Sequence, residues 1–230
     1  MDKIDMWEIE NGIYDEGFEI ICGVDEAGRG PLAGPVCAAA VILPKGLEIP
    51  GLTDSKKLTE KKREILFDVI TEQAMAYSIA RVEASEIDEM DILNARMLAM
   101  QRAIDGLSVK PDMALIDGNR DHGSRYAIET PHLTIIKGDG NSASIAAASI
   151  LAKVARDHDL LELDKEYQKK ERKQILTFAT FLTASVFCLF MALFFDNKAE
   201  LIKTNTYDNF MSRASLEENV EVASEDYLKA

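Results

Sequence analysis

Cysteine, histidine and tryptophan are scarce in this chain, and positive charge is outweighed by negative. Cys22, Cys37 and Cys188 form no CxxC pair. Neither a disulfide framework nor a structural zinc site is therefore expected, and a reducing compartment fits. His122, His132 and His158 share no ligand spacing and are expected as surface or satisfied polar residues. The opening run MDKIDMWEIENG has no apolar stretch of the signal-peptide type. With 26 Lys and Arg against 40 Asp and Glu, the net charge of −14 excludes a protein that simply coats nucleic acid. It leaves room for local phosphate contacts beside clustered carboxylates.

What is present is enough for one packed domain and an appendage. The chain has 230 residues, 47% of them apolar, so a core of ordinary size can form. FEIICGVD (Phe18–Asp25) and PVCAAAVIL (Pro35–Leu43) read as neighbouring strands joined by a Gly-rich turn. Thr59 is placed to cap a helix running to about Ala76, with Ile65, Leu66, Val69 and Ile70 on one face. Tyr77–Val82 alternates like a strand. Ser85 with Asp88 suggests a cap for one long helix ending near Asp105-Gly106. Met113–Ile116 and Leu133–Ile136 read as short buried strands, and Ser142–Tyr167 as a long helix. Strands first, then strands alternating with helices, predict an α/β fold: a mixed sheet with helices packed on it.

Carboxylates gather where these strands end. Asp25 and Glu26 follow the apolar IICGV and precede GRG. Neighbouring strand residues point to opposite faces, so the two can share a site only if the strand ends or twists there. Asp117 closes MALI and Asp139 follows LTIIKG, each next to glycine. One Asp-Gly at a strand end is ordinary turn chemistry. Three such ends point to a shared acidic site, whose mutual repulsion calls for cations. Oxygen donors of this kind suit Mg²⁺ or Mn²⁺ and two-metal phosphodiester hydrolysis. Gly28 and Gly30 let backbone amides approach a ligand, and Arg29 can pair with phosphate. Lys56 and Lys57 can track a nucleic-acid backbone, although a solvated basic helix start is the commoner meaning of such a run. GDGNS (Gly138–Ser142) lacks the GKS/T ending of a phosphate loop.

GVDEAGRGPLAGPV (Gly23–Val36), LTDSKKL (Leu52–Leu58), ALIDGN (Ala114–Asn119), IIKGD (Ile135–Asp139) and SIAAASILAKVARD (Ser144–Asp157) occur together, in this order. In these motifs, residues 18–167 resemble bacterial ribonuclease HII. The resemblance implies a ribonuclease H-like fold and a monomeric endonuclease. Its substrates would be the RNA strand of RNA–DNA hybrids and ribonucleotides embedded in duplex DNA, cut to 5′-phosphate and 3′-hydroxyl ends with Mn²⁺ or Mg²⁺. It assigns metal ligation to Asp25, Glu26 and Asp117 and completes the catalytic set with Asp139. Gly28, Arg29 and Gly30 would sense the ribose 2′-hydroxyl, with Lys56 on the substrate side.

The chain departs from the family after Tyr167. There the family continues into an HKGY-type motif, whose tyrosine stacks at the RNA–DNA junction, and a basic C-terminal region. Here a basic linker (168–174) leads to ILTFATFLTASVFCLFMALFF (175–195), 21 residues without a charge. As a helix that run spans about 30 Å, enough to cross the hydrocarbon core of a bilayer. Lys169, Lys170, Arg172 and Lys173 put its N-terminal side in the cytoplasm. Residues 196–230 carry 4 basic and 8 acidic groups and read as a poorly ordered tail. The expectation is a cytoplasmic catalytic domain, residues 1–167, followed by a transmembrane helix. Two alternatives stand beside it: an inactive, membrane-tethered ribonuclease H-like domain, and a truncated or fused reading frame.

Overall fold

A computed structural model describes residues 5–31 and 33–229; residues 1–4, Leu32 of the Gly23–Val36 motif and Ala230 lie outside the described residues. In chain order the elements are α1 (Glu8–Asp15), β1 (Ile21–Ala27), β2 (Val36–Ile42), α2 (Glu60–Gln73), β3 (Ala76–Val82), α3 (Ala84–Met90), α4 (Ile92–Asp105), β4 (Met113–Asp117), β5 (His132–Ile135) and α5 (Ala143–Lys229). The strands form one mixed sheet in the order β3-β2-β1-β4-β5. β1 pairs antiparallel with β2, Gly23 facing Val41 and Ala27 facing Cys37. On its other side β1 runs parallel to β4, which runs parallel to β5. The chain therefore forms the expected mixed sheet flanked by helices.

Strand alternation divides the core into two layers. Cys22 and Val24 of β1 pack with Ala95, Ala99 and Ala103 of α4 on one face. On the opposite face Ile21 meets Ile145 of α5, and Ala39 and Val41 of β2 join Leu66, Ile70 and the Ala147–Leu151 stretch. Alanine dominates the start of α5 because that helix lies almost against the sheet. A Cβ added at Gly23 would fall 2.1 Å from the carbonyl carbon of Ser144. The helix is seated at its N-terminal end by Glu10 of α1. This buried carboxylate accepts from Ser142 Oγ at 2.6 Å, Ser144 Oγ at 2.7 Å and the Ser144 amide at 3.0 Å.

The structure corrects several local expectations. Thr59 does cap α2, its Oγ1 accepting from the Lys62 amide, and Leu66 and Ile70 are buried. Ile65, however, is exposed, because the face turned to the sheet is narrower than the apolar run. The long helix expected from Ser85 to Asp105 is two helices, broken at Asp91. Glu83 and Glu86 form the capping box of α3, not Ser85 and Asp88. Asp91, at φ 90°, then accepts from the Asn94 amide and starts α4. Asp91 offers a capping carboxylate about one turn before the apolar face resumes at Ala95, so a second helix start outcompetes continuation. β5 is only partly buried, with Leu133 exposed, because it is the edge strand.

The chain divides into two compact units, residues 1–165 and 166–230. Helix α5 begins in the first and continues through the second to Lys229, including the linker 168–174 and the tail read as poorly ordered. The physical reason is in the sequence: no glycine or proline occurs after Gly140, so nothing breaks the helix. In the second unit the apolar side chains of residues 175–195 face outward, Phe178 being 72% and Phe181 70% exposed.

Candidate active site

Asp25 lies near the end of β1, Asp117 ends β4, and Asp139 sits in a short 3₁₀ turn (Gly138–Gly140) after β5. β1, β4 and β5 are adjacent and parallel, so their C-terminal ends deliver the three aspartates to one end of the sheet. One carboxylate oxygen from each lies within 4.8 Å of the others. Asp25 and Asp139 are buried. Asp25 Oδ1 accepts from the Glu26 amide at 2.7 Å, and Asp117 Oδ1 from the Asp139 amide at 3.4 Å. Ser149 of α5, its hydroxyl 2.9 Å from that of Ser55, bonds Asp25 as well.

Glu26 does not join this trio. The strand does not end at Asp25; it continues through Ala27. Asp25 is therefore turned toward α5, where Ser149 meets it, and Glu26 toward α4. There the Glu26 carboxylate lies 2.9 Å from Arg96 Nε. The contact is one of charge, without the alignment of a hydrogen bond, and Glu26 Oε2 is buried with no partner. A second guanidinium nitrogen of Arg96 donates to the Asp117 carbonyl at 2.7 Å.

The electrostatics match a cluster of like charges held away from water. Burial, then the charges of Glu26 and Asp117, push Asp25 well above the usual carboxylate range. Burial also raises Glu26, with Arg96 opposing the shift. Asp117 is raised by burial and by Asp139. Lys56 supplies positive charge from the 3₁₀ turn Ser55–Lys57, its Nζ 3.2 Å from Asp139 Oδ2. Partial burial works against its ammonium, but the hydrogen bond and charge of Asp139, with Asp25 behind it, hold it above the usual lysine range.

Gly28, Arg29 and Gly30 line the same 550 Å³ cleft as Asp25, Glu26, Lys56 and Asp117. Gly28 has φ 111°, and a Cβ there would meet Arg156 Nε and the Pro35 carbonyl at 2.6 Å, so the turn needs glycine. Arg156 fastens the far side of this loop, donating to the Pro35 carbonyl at 3.1 Å and the Ala33 carbonyl at 2.8 Å. The histidines lie elsewhere, His122 and His132 on Asp121 and His158 on Glu64.

Reading the residues one motif at a time misses four contributors. Ser149, Lys153 and Arg156 all line the cleft from α5. Their spacing of four and three puts them on one helix face, a signal available in the sequence. Arg96 has no such signal, because its partners lie some 20 and 70 residues away.

The donor set fits a divalent cation. It is made of oxygen alone, its charges repel, and the buried Glu26 Oε2 lacks a partner. Hard cations such as Mg²⁺ and Mn²⁺ take such ligands, and Asp25, Asp117 and Asp139 are placed to hold one.

Comparison with known proteins agrees with these motifs. The family model for ribonuclease HII matches residues 22–175. A ribonuclease HII of Aliivibrio salmonicida is 55% identical over 167 residues, covering 72% of this chain and 78% of the relative. One from Aliivibrio fischeri is 56% identical over 156 residues, covering 67% and 72%. Among solved structures, the ribonuclease H2 of Pyrococcus horikoshii superposes with a TM-score of 0.56 at 29% identity, covering 65% of this chain and 77% of that one.

Proposed function

Because the chain belongs to the ribonuclease HII family, we propose that its first unit is an endonuclease that hydrolyses the RNA strand of RNA–DNA hybrids and nicks duplex DNA at embedded ribonucleotides. The observation that carries this reading is the convergence of Asp25, Asp117 and Asp139 on one point beside the Gly28-Arg29-Gly30 turn. Mn²⁺ or Mg²⁺ ions held by these carboxylates, with Glu26 adjoining, supply the activation of water and the stabilisation of the leaving oxygen in a two-metal hydrolysis. The chain's own residues do the rest. Asp25 is oriented by Ser149 and the Glu26 amide, and Asp117 by the Asp139 amide, so the donors are set before substrate arrives. Gly28 and Gly30 expose backbone at the cleft, where a 2′-hydroxyl can be told from hydrogen, and Arg29 pairs with a flanking phosphate. Lys56 exchanges Asp139 for the nucleic-acid backbone. The products are 5′-phosphate and 3′-hydroxyl ends.

The test uses purified full-length chain in detergent, Mn²⁺ or Mg²⁺, and a labelled DNA duplex holding one ribonucleotide. A nick 5′ of that ribonucleotide, absent with Asp25→Asn, is the expected result. No nick from folded protein would favour an inactive domain.

One observation favours a membrane role for the second unit. Of the polar side chains in residues 175–195, all four hydroxyls bond to backbone carbonyls of their own helix: Thr177 to Lys173, Thr180 to Thr177, Thr183 to Thr180 and Ser185 to Phe181. A helix that satisfies its polar groups internally suits a solvent without hydrogen bonds. The helix is long and apolar enough to cross a membrane. This reading anchors the nuclease to a membrane, with the basic segment and the catalytic unit on the cytoplasmic side. Its check is whether the chain pellets with membranes and resists extraction at high pH.

A further inference from the structure

The connection from β4 to β5 carries a second group of donors, apart from the three aspartates. Asp121 and His122 lie within it, and His132 opens β5. The backbone holds this loop in shape. The Ile128 amide donates to the Asp121 carbonyl at 2.9 Å, and His122 forms a β-bridge with Ala127. The buried Asn94 of α4 clasps the tip, its Oδ1 accepting from the amides of Arg125 at 2.8 Å and Tyr126 at 3.2 Å. In this frame one carboxylate faces two imidazoles. Asp121 Oδ1 lies 2.6 Å from His122 Nδ1, and Oδ2 lies 3.2 Å from His132 Nε2.

The tautomer of His132 decides what the arrangement can hold. Its Nδ1 lies 2.7 Å from the Thr130 carbonyl oxygen, which only accepts, so Nδ1 carries the proton. In the neutral ring Nε2 is then a lone pair aimed at a carboxylate. Two acceptors face each other, and something positive belongs between them: a second proton or a cation. A ring N–H given to a backbone carbonyl is the usual support of a metal-ligating histidine. The 3.2 Å between Nε2 and Oδ2 also matches a ligand–ligand edge of a tetrahedral ion with bonds of about 2.0–2.1 Å, an edge of roughly 3.3 Å. The two rings hold Asp121 at about 2, so it is an anion at neutral pH. The His132 side chain is only 18% exposed and fixed, whereas that of His122 is 75% exposed and has room to turn.

We propose that Asp121, His132 and His122 form a second metal site, for a borderline divalent cation such as Zn²⁺, with the His122 ring turning to join the other two and water completing the shell. Imidazole nitrogen suits Zn²⁺, whereas the all-oxygen aspartate site suits Mg²⁺ or Mn²⁺, so the two sites sort different ions. A cation here staples the β4–β5 connection to the first residue of β5. In its absence, protons on the rings serve the same carboxylate. The inference does not depend on the nuclease reading.

The test uses the full-length chain in detergent, without a polyhistidine tag, and with excess Mg²⁺ to fill the oxygen site. Zn²⁺ binding is measured by titration calorimetry. Wild type is expected to take up Zn²⁺, with affinity falling on the order of 100-fold in His132→Ala and about tenfold in His122→Ala. Co²⁺ in place of Zn²⁺ gives a second reading. The chain has 3 histidines, so the ring signals of His122 and His132 should broaden in the NMR spectrum while those of His158, on Glu64, stay sharp. No uptake by wild type overturns the proposal and leaves Asp121 with an ion pair only. Affinity that either variant leaves unchanged, or broadening of His158 alone, also overturns it, since the cation then sits elsewhere. If His132→Ala does not fold by circular dichroism, His132→Gln, which keeps a donor for the Thr130 carbonyl, takes its place. The nicking assay judges the nuclease reading separately.

Discussion

The two units of this chain invert the usual rule of burial in opposite ways. The first places charge inside: Asp25, Asp139, Glu10, Arg96 and Arg156 are all buried. The second places bulk apolar groups outside, with Phe178, Phe181, Phe187 and Phe190 each more than 60% exposed. Helix α5 makes the contrast within one element. Residues 143–155 are alanine-rich and lie against the sheet, whereas residues 175–195 are rich in Phe and Leu and exposed. Apolarity is common to both stretches, so it does not decide burial. Side-chain volume and the presence of a partner surface do. In the reading proposed above, the buried charges serve a cation and nucleic acid, and the exposed phenylalanines serve lipid.

The largest effect that would sharpen this comparison is expected at Asp25. Asp25→Asn removes a donor and should lower nicking on the order of 10⁴-fold, about 5.5 kcal/mol. It also relieves a carboxylate pushed up by burial, so the melting temperature should not fall. Loss of folding together with activity would make Asp25 a structural charge and dissolve the contrast.

The next effect concerns the second unit. Phe181→Lys with Leu189→Lys places two charges near the middle of the apolar run, each opposing insertion by roughly 2.5–3.5 kcal/mol. The double variant should leave the membrane fraction while its nicking of duplex in detergent is retained. Continued membrane association would show that residues 175–195 are not the anchor.

Gly23→Ala tests the packing half of the comparison. Its methyl would run into the backbone of Ser144, and a loss of about 3 kcal/mol in the unfolding free energy of the first unit is expected. A smaller loss, read by denaturant titration, would mean that α5 can move away from the sheet.

The smallest effect is at the surface, where charge is paired in the ordinary way. Hydrogen bonds from His122 and His132 hold Asp121 at about 2, below the usual carboxylate value. A depressed folded-state pKa gives stability that is present above the unfolded value near 4 and is lost as pH falls toward 2. The difference in melting temperature between wild type and Asp121→Asn should therefore shrink across that window. A difference that does not change with pH would show that the pair contributes no charge term.

Much of the first unit was legible residue by residue. The strands β1 to β3, the Thr59 cap and the Asp-Gly strand ends carry local signatures of periodicity and turn chemistry, and the motifs from Gly23 to Asp157 pointed to the family. The break at Asp91 was not legible, since Ser85 and Asp88 offered an equally good local cap upstream. Nor was the continuity of α5 through the acidic tail, because composition hid the absence of any helix breaker after Gly140.

By itself, then, the sequence determined which acids stand at strand ends, that glycines flank them, and that a helix without breakers carries an uncharged run of bilayer length. Only the tertiary structure decided which acids meet. Asp25 finds Asp117 and Asp139 because three parallel strands end side by side, while Glu26, facing the other way, finds Arg96 on α4. Lys56 reaches Asp139 from 83 positions away. Contacts across such separations leave no local pattern, because they are set by how sheet and helices pack and not by the residues on either side.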